Sequence, residues 1–436
     1  MKPFTGLLLI TSLLSLLSTS AQALDLIQTL ELAKQQDAQL RIARSQLDSA
    51  RLTLPQAQSA NRPQVNLSAN TTYQDKGNTL SGDDTQTSYG YGLSIQQNLF
   101  NAETSAQTDA VQARIQQAEA DYRAAEQDLI VRVTQAYFNI LSAQDNVEFA
   151  QAEKNAIGRQ LEQAKKRYEV GLIAITDVKV AQASYDLSLA QEIIANNALD
   201  NAREALQLII GQAPSEALAT LDNAIELVIP EPARGSAWVE QALKNNLQLM
   251  SAQAALQAAN ENRRIARSGR KPTLNLIGSY QDNAIDSDNN GNFDTDDLTL
   301  SLQFNMPLYT GGRTGAVIEQ AEADYATAQN NLLLQKRLIS QQTNTAYLSI
   351  VSGIGQVNAL KQALISSTAA LEATEAGFDV GTRTSVDVLN SLRETYRSRR
   401  DLASARYDYL INILRLKQAA GVLTDEDLTS INQWLR

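Results

Sequence analysis

The sequence repeats one plan twice, and this repetition is the strongest constraint on its fold. The pentapeptide Ala118–Tyr122 recurs with the same residues at Ala321–Tyr325, and Gly381 lies 210 positions after its counterpart Gly171. A period of this length far exceeds that of solenoid repeats, so it predicts an internal duplication with pseudo-twofold symmetry. The predicted segments are a leader followed by two repeats: residues 1–23, 24–235 and 236–436.

The leader has the pattern of a cleaved secretory signal peptide. Lys2 supplies the charged end, Leu7–Leu17 the apolar core, and Ala21-Gln22-Ala23 the small-x-small cleavage site. A membrane anchor is the alternative, but an apolar core of 11 residues is too short to span a bilayer. We therefore expect a mature chain that begins at Leu24 and leaves the cytoplasm.

Composition excludes several classes of function. The chain contains no Cys and no His, so it has no disulfide, no Ser-His-Asp triad and no zinc site of the usual kind. Its net charge of −11 argues against nucleic-acid binding, which needs basic patches. A hydrolase with paired carboxylates remains open as an alternative, but the acidic residues lie along helix exteriors without pocket-forming loops. We expect a protein that is not an enzyme.

Each repeat contains two segments in which apolar and polar residues alternate for about ten residues, the period of a β-strand. The polar positions are almost wholly uncharged, as in transmembrane barrel strands; a soluble hairpin with one wet face is the alternative. The segments are Val65–Tyr73, Tyr89–Leu99, Leu274–Tyr280 and Leu298–Met306.

These strands predict an oligomer. No run of about 20 apolar residues follows the leader, so strands must make any membrane crossing. Four strands cannot close a barrel, because even small barrels need about eight. Identical chains must therefore share their strands, which removes the exposed sheet edges.

The rest of each repeat is helical. Alternating steps of three and four between apolar residues predict one opening helix, one very long helix of about 100 Å, and one returning helix per repeat. Packing on more than one face suggests a ring of helices, an α-barrel that continues the β-barrel. The predicted helices are Leu26–Ala60, Asn101–Glu169 and Asp177–Ile210, then Ala237–Ser268, Arg313–Asp379 and Asp387–Ala420.

Two glycine turns reverse the long helices. Gly171 and Gly381 stand where each long helix must stop, and glycine tolerates the positive φ that a helix stop needs. Thr384 or Ser385 can cap the helix that follows Gly381. Charged side chains at the tips of twin hairpins suggest a gate.

Three long motifs make the chain resemble the TolC family of outer-membrane channel-tunnels: Tyr168–Val178, Gly377–Leu389 and Ala405–Asn412. The resemblance implies a homotrimer with a twelve-stranded barrel in the outer membrane of a Gram-negative bacterium, in contact with its lipid. It also implies a periplasmic α-helical tunnel closed at its inner end. The implied role is export of drugs, small molecules or proteins, with a periplasmic adaptor and an inner-membrane transporter of the RND, ABC or MFS type.

The family's gate residues can be carried over to matching positions. Arg383 is similar to the gate arginine, which contacts the positions of Thr176 and Asp177 in a neighbouring chain. Asp387 is similar to an aspartate at the narrowest point, where three copies form an anionic ring. The residues themselves allow a plainer interpretation, namely a surface ion pair and a carboxylate in the first turn of a helix.

Two positions depart from the family pattern. Phe378 stands where a tyrosine would reach the aspartate at the position of Asp177, so that contact lacks its hydroxyl. Asn390 stands where a second acidic ring would lie. Both changes predict a less firmly latched closed state and a less anionic entrance.

An acidic segment between two strands matches the spacing of a calcium-binding EF-hand loop. No helices flank it, and an acidic solvated loop is the alternative interpretation. Apart from this calcium site, we expect no cofactor. The candidate ligands are Asp286, Asp288, Asn290, Asn292 and Asp297.

One alternative to export also remains open. A structural or adhesive trimer, with a coiled-coil stalk on a barrel anchor, would share these strands and helices. It would have no gate chemistry at the turns and would not conduct ions.

Overall fold

The computed structural model describes residues 24–76, 84–214, 218–222, 227–287 and 291–435. The predicted leader therefore lies outside the described residues. The described elements follow one order in both halves: two helices, two strands and two helices, with a further short helix after the second set. They are α1 (Leu26–Gln36), α2 (Ala38–Ser59), β1 (Gln64–Lys76), β2 (Asp84–Asn101), α3 (Ala102–Glu169), α4 (Ile175–Ile210), α5 (Gly235–Asn245), α6 (Leu247–Ser268), β3 (Thr273–Ser287), β4 (Gly291–Asn305), α7 (Arg313–Asp379), α8 (Ser385–Ala419) and α9 (Asp425–Asn432).

The four strands form one antiparallel sheet in the order β1-β2-β3-β4. β1 and β4 are therefore edge strands, each paired on one side only within the described chain. On β4, one face carries apolar side chains that are 64 to 83% exposed: Leu298, Leu300, Leu302 and Phe304. Thr299 and Ser301 lie between them on the opposite face, since successive strand residues point to opposite sides. The strands are longer than predicted, and one face of the sheet is an uncovered apolar surface.

The predicted long helices are confirmed. α3 has 68 residues and α7 has 67, and each spans about 100 Å at 1.5 Å per residue. Both predicted returning helices form, and each begins two residues earlier than predicted. None of the described helices combines the length and hydrophobicity that a bilayer crossing requires.

The prediction of one unbroken opening helix per repeat is wrong. Asp37 separates α1 from α2, and Asn246 separates α5 from α6; both residues have extended backbone angles. The side chain of Asp37 accepts a hydrogen bond from the amide of Leu40, and that of Asn246 from the amide of Leu249. Each helix therefore stops and restarts, because one polar side chain satisfies the first amides of the next helix.

The largest hydrophobic core lies at mid-length of the long helices. It joins α1, α3, α4, α8 and α9 with the segment that connects the two halves. The Tyr137 hydroxyl lies in hydrogen-bond range of the Leu24 and Ala219 carbonyls, 3.0 and 2.9 Å away, and the Tyr409 hydroxyl donates to the Val228 carbonyl. These buried tyrosines attach the irregular segment between α4 and α5 to the helices, so that segment belongs to the core.

The predicted calcium-binding segment overlaps two paired strands. β3 continues to Ser287 and β4 begins at Gly291, and the two strands pair with each other. Asn292 pairs with Asp286, whereas Asp297 pairs with Gln281, five strand positions away. At about 3.3 Å per residue, Asp297 lies about 16 Å along the strand from Asn292, too far to share one ion.

Two of the candidate calcium ligands, Asp288 and Asn290, lie outside the described residues. Within the described part of the chain, no group of three or more acidic side chains is placed to hold a metal ion.

Candidate gate at the paired helical turns

The two turns that reverse the long helices lie side by side at one end of the protein. A compact hydrophobic cluster above them contains Ile157 and Leu161 of α3, Ala181 of α4, and Leu389 and Leu392 of α8. All five side chains are at most 5% exposed. Because α3 begins directly after β2, this end lies about 100 Å from the sheet. The fold therefore brings the two predicted hairpin tips together at the far end of the helices.

Both turns are Schellman motifs, in which a left-handed glycine ends the helix. Gly171 has a φ of 74° and Gly381 a φ of 82°. The amide of Leu172 donates to the Arg167 carbonyl, and the amide of Thr382 donates to the Gly377 carbonyl, each at 2.8 Å. The predicted roles of both glycines are confirmed.

The helices that follow the turns begin in two different ways. The carboxylate of Asp387 accepts hydrogen bonds from the amide and the hydroxyl of Thr384, both at 2.9 Å, and the Thr384 hydroxyl accepts from the Asp387 amide. The Thr384 amide contributes most to holding the pKa of Asp387 below its usual range, and the Thr384 hydroxyl and nearby Arg383 add to it. Asp387 is thus ionised at neutral pH and is held in a capping box.

Asp177 occupies the equivalent third position of α4, but Ala174 precedes that helix and offers no capping side chain. Among the described residues, no hydrogen bond or ion pair reaches the Asp177 carboxylate. The exposed Thr176 stands beside it. Asp177 is therefore a free acceptor at the tip, whereas Asp387 is already engaged.

Arg383 is an exposed residue on the second turn. An ideal Cβ on Gly377 would lie 2.8 Å from the Arg383 Cγ, so the arginine stem folds closely over the glycine. The described residues include no ion pair to its guanidinium. The predicted contact with Thr176 and Asp177 of a neighbouring chain stays a prediction. Among the described residues, neither the Arg383 guanidinium nor the Asp177 carboxylate has an ion-pair partner.

The Phe378 ring packs against the end of α3. The guanidinium carbon of Arg167 lies 4.1 Å from the centroid of the Phe378 ring, and its Nη2 donates to Asp379 Oδ1 at 3.3 Å. Sequence reasoning missed Arg167 and Asp379. The available signal was a basic residue in the last turn of α3 opposite an acidic one in the last turn of α7.

Asn390 is exposed on α8 and lines a groove of about 500 Å³ between α4 and α8. Arg393, Arg397 and Arg400 line the same groove, with Glu153 paired to Arg400 at 2.9 Å. Glu394 also lines the groove, so its three arginines lie beside two carboxylates, and the expectation of a less anionic entrance stays a prediction.

The chain matches the family profile "Outer membrane efflux protein" twice, over residues 29–212 and 238–422. It is 39% identical to the outer membrane protein TolC of Vibrio cholerae serotype O1 over 432 residues, which cover 98% of both proteins. It is 30% identical to the alkaline protease secretion protein AprF of Pseudomonas aeruginosa, over 95% of this chain and 88% of that protein.

The fold resembles that of the outer membrane protein VceC from Vibrio cholerae. The TM-score is 0.74 at 20% identity, with 91% of this chain and 96% of VceC covered.

Proposed function

Because this chain belongs to the outer membrane efflux protein family, we propose that it forms a homotrimeric conduit whose inner end is closed by the two paired turns. The chain is an outer-membrane channel of efflux and secretion systems of Gram-negative bacteria, a transport protein rather than an enzyme. Proteins of this kind work with adaptors and inner-membrane transporters.

The proposed closure at the turns is supported by one observation. Asp177 has no partner among the described residues, whereas its counterpart Asp387 is satisfied by Thr384. Arg383 likewise makes no ion pair among the described residues, although its charge favours ionisation of nearby Asp387, and it stands on the adjacent turn of the same tip. A free anion and a free cation on neighbouring tips can pair between copies around an axis. Each such exposed pair contributes about 0–1 kcal/mol, so a binding partner can overcome three of them.

The proposed trimer is inferred from the two edge strands of the sheet. β1 and β4 each leave one row of backbone donors and acceptors unpaired within the described chain, and such edges need a partner in a membrane. Three copies of four strands give a twelve-stranded barrel, an even number above the minimum of about eight. We propose that the exposed leucines of β4 then face lipid and that the partner transporter is of the RND, ABC or MFS type.

Planar-bilayer recording of the purified protein tests this function. We expect a low conductance for the wild type and a higher one for the double variant Arg383→Ser, Asp177→Ala, because the tips are then no longer held together. Arg203→Ser with Asp200→Ala is a matched control, since that exposed pair lies within α4, away from the turns. An unchanged conductance in the first double variant would remove these residues from the gate. No conductance in any variant would favour the stalk.

The oligomeric state is measured separately, by native mass spectrometry of the protein in detergent. A monomer that stays in solution without detergent would contradict the shared barrel.

A further inference from the structure

Arg167 makes two different contacts with two adjacent residues at the end of α7. Its guanidinium carbon lies 4.1 Å from the Phe378 ring centroid, and its Nη2 lies 3.3 Å from Asp379 Oδ1. Phe378 is only 6% exposed, although the turn residues that follow it are exposed. An aromatic ring at the tip of the protein is thus covered by a cation from the neighbouring hairpin.

Both contacts depend on the shape of arginine. A guanidinium is planar, so its face can lie on an aromatic ring while an N–H at its edge donates to a carboxylate. A lysine ammonium is a compact point charge, and it cannot cover the ring and direct a fixed donor in the same way. Arginine can therefore make both contacts at this position, and lysine cannot.

The contacts join the two hairpins at their last helical turns. Arg167 lies three residues before the end cap of α3, and its carbonyl closes the first Schellman turn. Phe378 and Asp379 are the last two residues of α7, directly before the second turn. The side chains therefore connect the two turns at the point where an opening movement would separate them.

We propose that Arg167, Phe378 and Asp379 form a latch within each protomer that holds the two hairpin tips together in the closed state. This inference rests on the proposed gating role of the turns. Phe378 stands where the family pattern has a tyrosine, and the ring here is held by a cation instead of through a hydroxyl. The Asp177 carboxylate is thereby left free for Arg383 of a neighbouring copy.

The latch predicts which changes open the channel. Arg167→Gln removes both the charge and the stacking cation, and we expect the open-state occupancy in planar bilayers to rise at least about five- to thirtyfold, which is the effect of losing the two contacts in a single protomer. Arg167→Lys keeps the charge but not the planar group, so it should restore closure only in part. Lys166→Gln is the matched control, because it removes the same charge one residue earlier from a side chain without a described contact.

A double-mutant cycle separates a latch from two independent surface groups. If Arg167 acts through Asp379, Arg167→Gln combined with Asp379→Asn should raise the open-state occupancy no further than Arg167→Gln alone. The melting temperature of each variant is measured alongside. Increased opening at an unchanged melting temperature supports the latch. A lower melting temperature in the Arg167 and Asp379 variants without increased opening would overturn it.

The failure of this inference can be distinguished from the failure of the gate itself. If Arg383→Ser with Asp177→Ala opens the channel and Arg167→Gln does not, the gate stands and the latch is wrong. If neither variant changes the conductance, both are wrong.

Discussion

The guanidinium of Arg132 donates to both carboxylate oxygens of Asp37, at 3.0 and 3.1 Å, while the same carboxylate caps helix α2 through the amide of Leu40. In the second repeat an uncharged residue caps the restarted helix: the Asn246 side chain caps α6, and its amide nitrogen donates to the Ala419 carbonyl. The duplicated break in the opening helix is therefore stabilised by an ion pair in one copy and by a neutral hydrogen bond in the other.

Asp37→Asn should destabilise the protein while leaving the helix cap in place. The Asp37 side chain is 4% exposed and Arg132 is 26% exposed and keeps Asp128, so we expect a loss of about 1–3 kcal/mol rather than that of a fully buried pair. Thermal unfolding followed by the intrinsic fluorescence of Trp238 and Trp434 measures this loss. Asp37→Ala should cost about 1 kcal/mol more, because the cap is also lost.

The stability of Asp37→Asn relative to wild type should also depend on pH. Burial alone would raise the pKa of Asp37, but the hydrogen bonds from Arg132 and from the Leu40 amide together lower it below its usual range. A lowered carboxyl pKa contributes stability above the unfolded value of about 4, and this contribution is lost as the pH falls through the folded value. The stability difference between wild type and Asp37→Asn should therefore shrink below about pH 4. A constant difference from pH 7 to pH 3 would contradict the pairing.

Asp145→Asn should have the opposite dependence on pH. Burial raises the pKa of Asp145 above its usual range, and the nearby negative charge of Glu148 adds to the rise. The hydroxyl of Tyr407, which donates to Asp145 at 2.8 Å, and the charge of Arg406 lower the pKa but do not cancel the rise. The folded state therefore disfavours the ionised form, and the wild type loses stability as the pH rises through the raised pKa. We expect the melting temperature of the variant, relative to wild type, to be higher at pH 7.5 than at about pH 4, where the unfolded carboxyl group begins to ionise.

Tyr407→Phe is the companion measurement, because it removes a hydrogen-bond donor to Asp145 and keeps the ring beside Phe138. Its loss of stability should be larger at pH 7.5 than at about pH 4. Equal losses at both values would contradict the raised pKa of Asp145.

Gly377→Ala should loosen the gate although it favours the helix. A Cβ at this position would meet the Arg383 Cγ at 2.8 Å, so the arginine must move away from its present place on the turn. Alanine adds about 1 kcal/mol of helix propensity, so a weakened helix cannot explain any increase in conductance. Gly355→Ala on the same helix meets open space and serves as the control in the same bilayer recordings. An increase of the same size in both variants would argue against displacement of Arg383.

Asp387→Asn should weaken block of the channel by multivalent cations added from the periplasmic side. Asparagine keeps an acceptor for Thr384 but removes the charge, so the capping contact is largely preserved. Three ionised carboxylates around a constriction attract cations, and the ring loses this attraction when they are neutral. Thr384→Val keeps the charge and should keep the block. Equal block in wild type and Asp387→Asn would exclude an anionic ring at this position.

Leu302→Arg should impair assembly in the membrane, whereas Ser301→Arg should not. Leu302 is 64% exposed on the apolar face of β4, and Ser301 is the preceding residue, on the opposite face. A charge at mid-depth on the lipid face of a barrel costs about 2–4 kcal/mol per site. The amount of trimer recovered from outer-membrane fractions measures the difference. Similar recoveries for the two variants would mean that the faces are assigned wrongly.

Most of the fold could be predicted from the sequence because the signals are local. The bounds of α7 follow from an uninterrupted pattern of threes and fours between Arg313 and a glycine stop, and Gly381 adopts the positive φ that the stop requires. The capping box of Thr384 with Asp387 is also local, so the contrast with Ala174 and Asp177 was present in the sequence.

The errors arose where spacing was interpreted without strand register or partners. Acidic residues between 286 and 297 have the spacing of a calcium loop, but antiparallel pairing extends through them and separates Asn292 from Asp297. The opening helices look continuous because their apolar period continues across Asp37. The local sequence offers Asp37 as a helix cap, but it does not show that Arg132, 95 residues away, pairs with the buried carboxylate.

By itself, the sequence determined the duplication, the long helices, the alternating strands and the glycine turns, since each depends on hydrogen bonds and periodicity within a short stretch of chain. Only the tertiary structure decided that Arg167 covers Phe378 and pairs with Asp379, which is 212 residues away. That contact depends on how two helices of about 100 Å align at their far ends, which is set by packing along their whole length and by no local pattern.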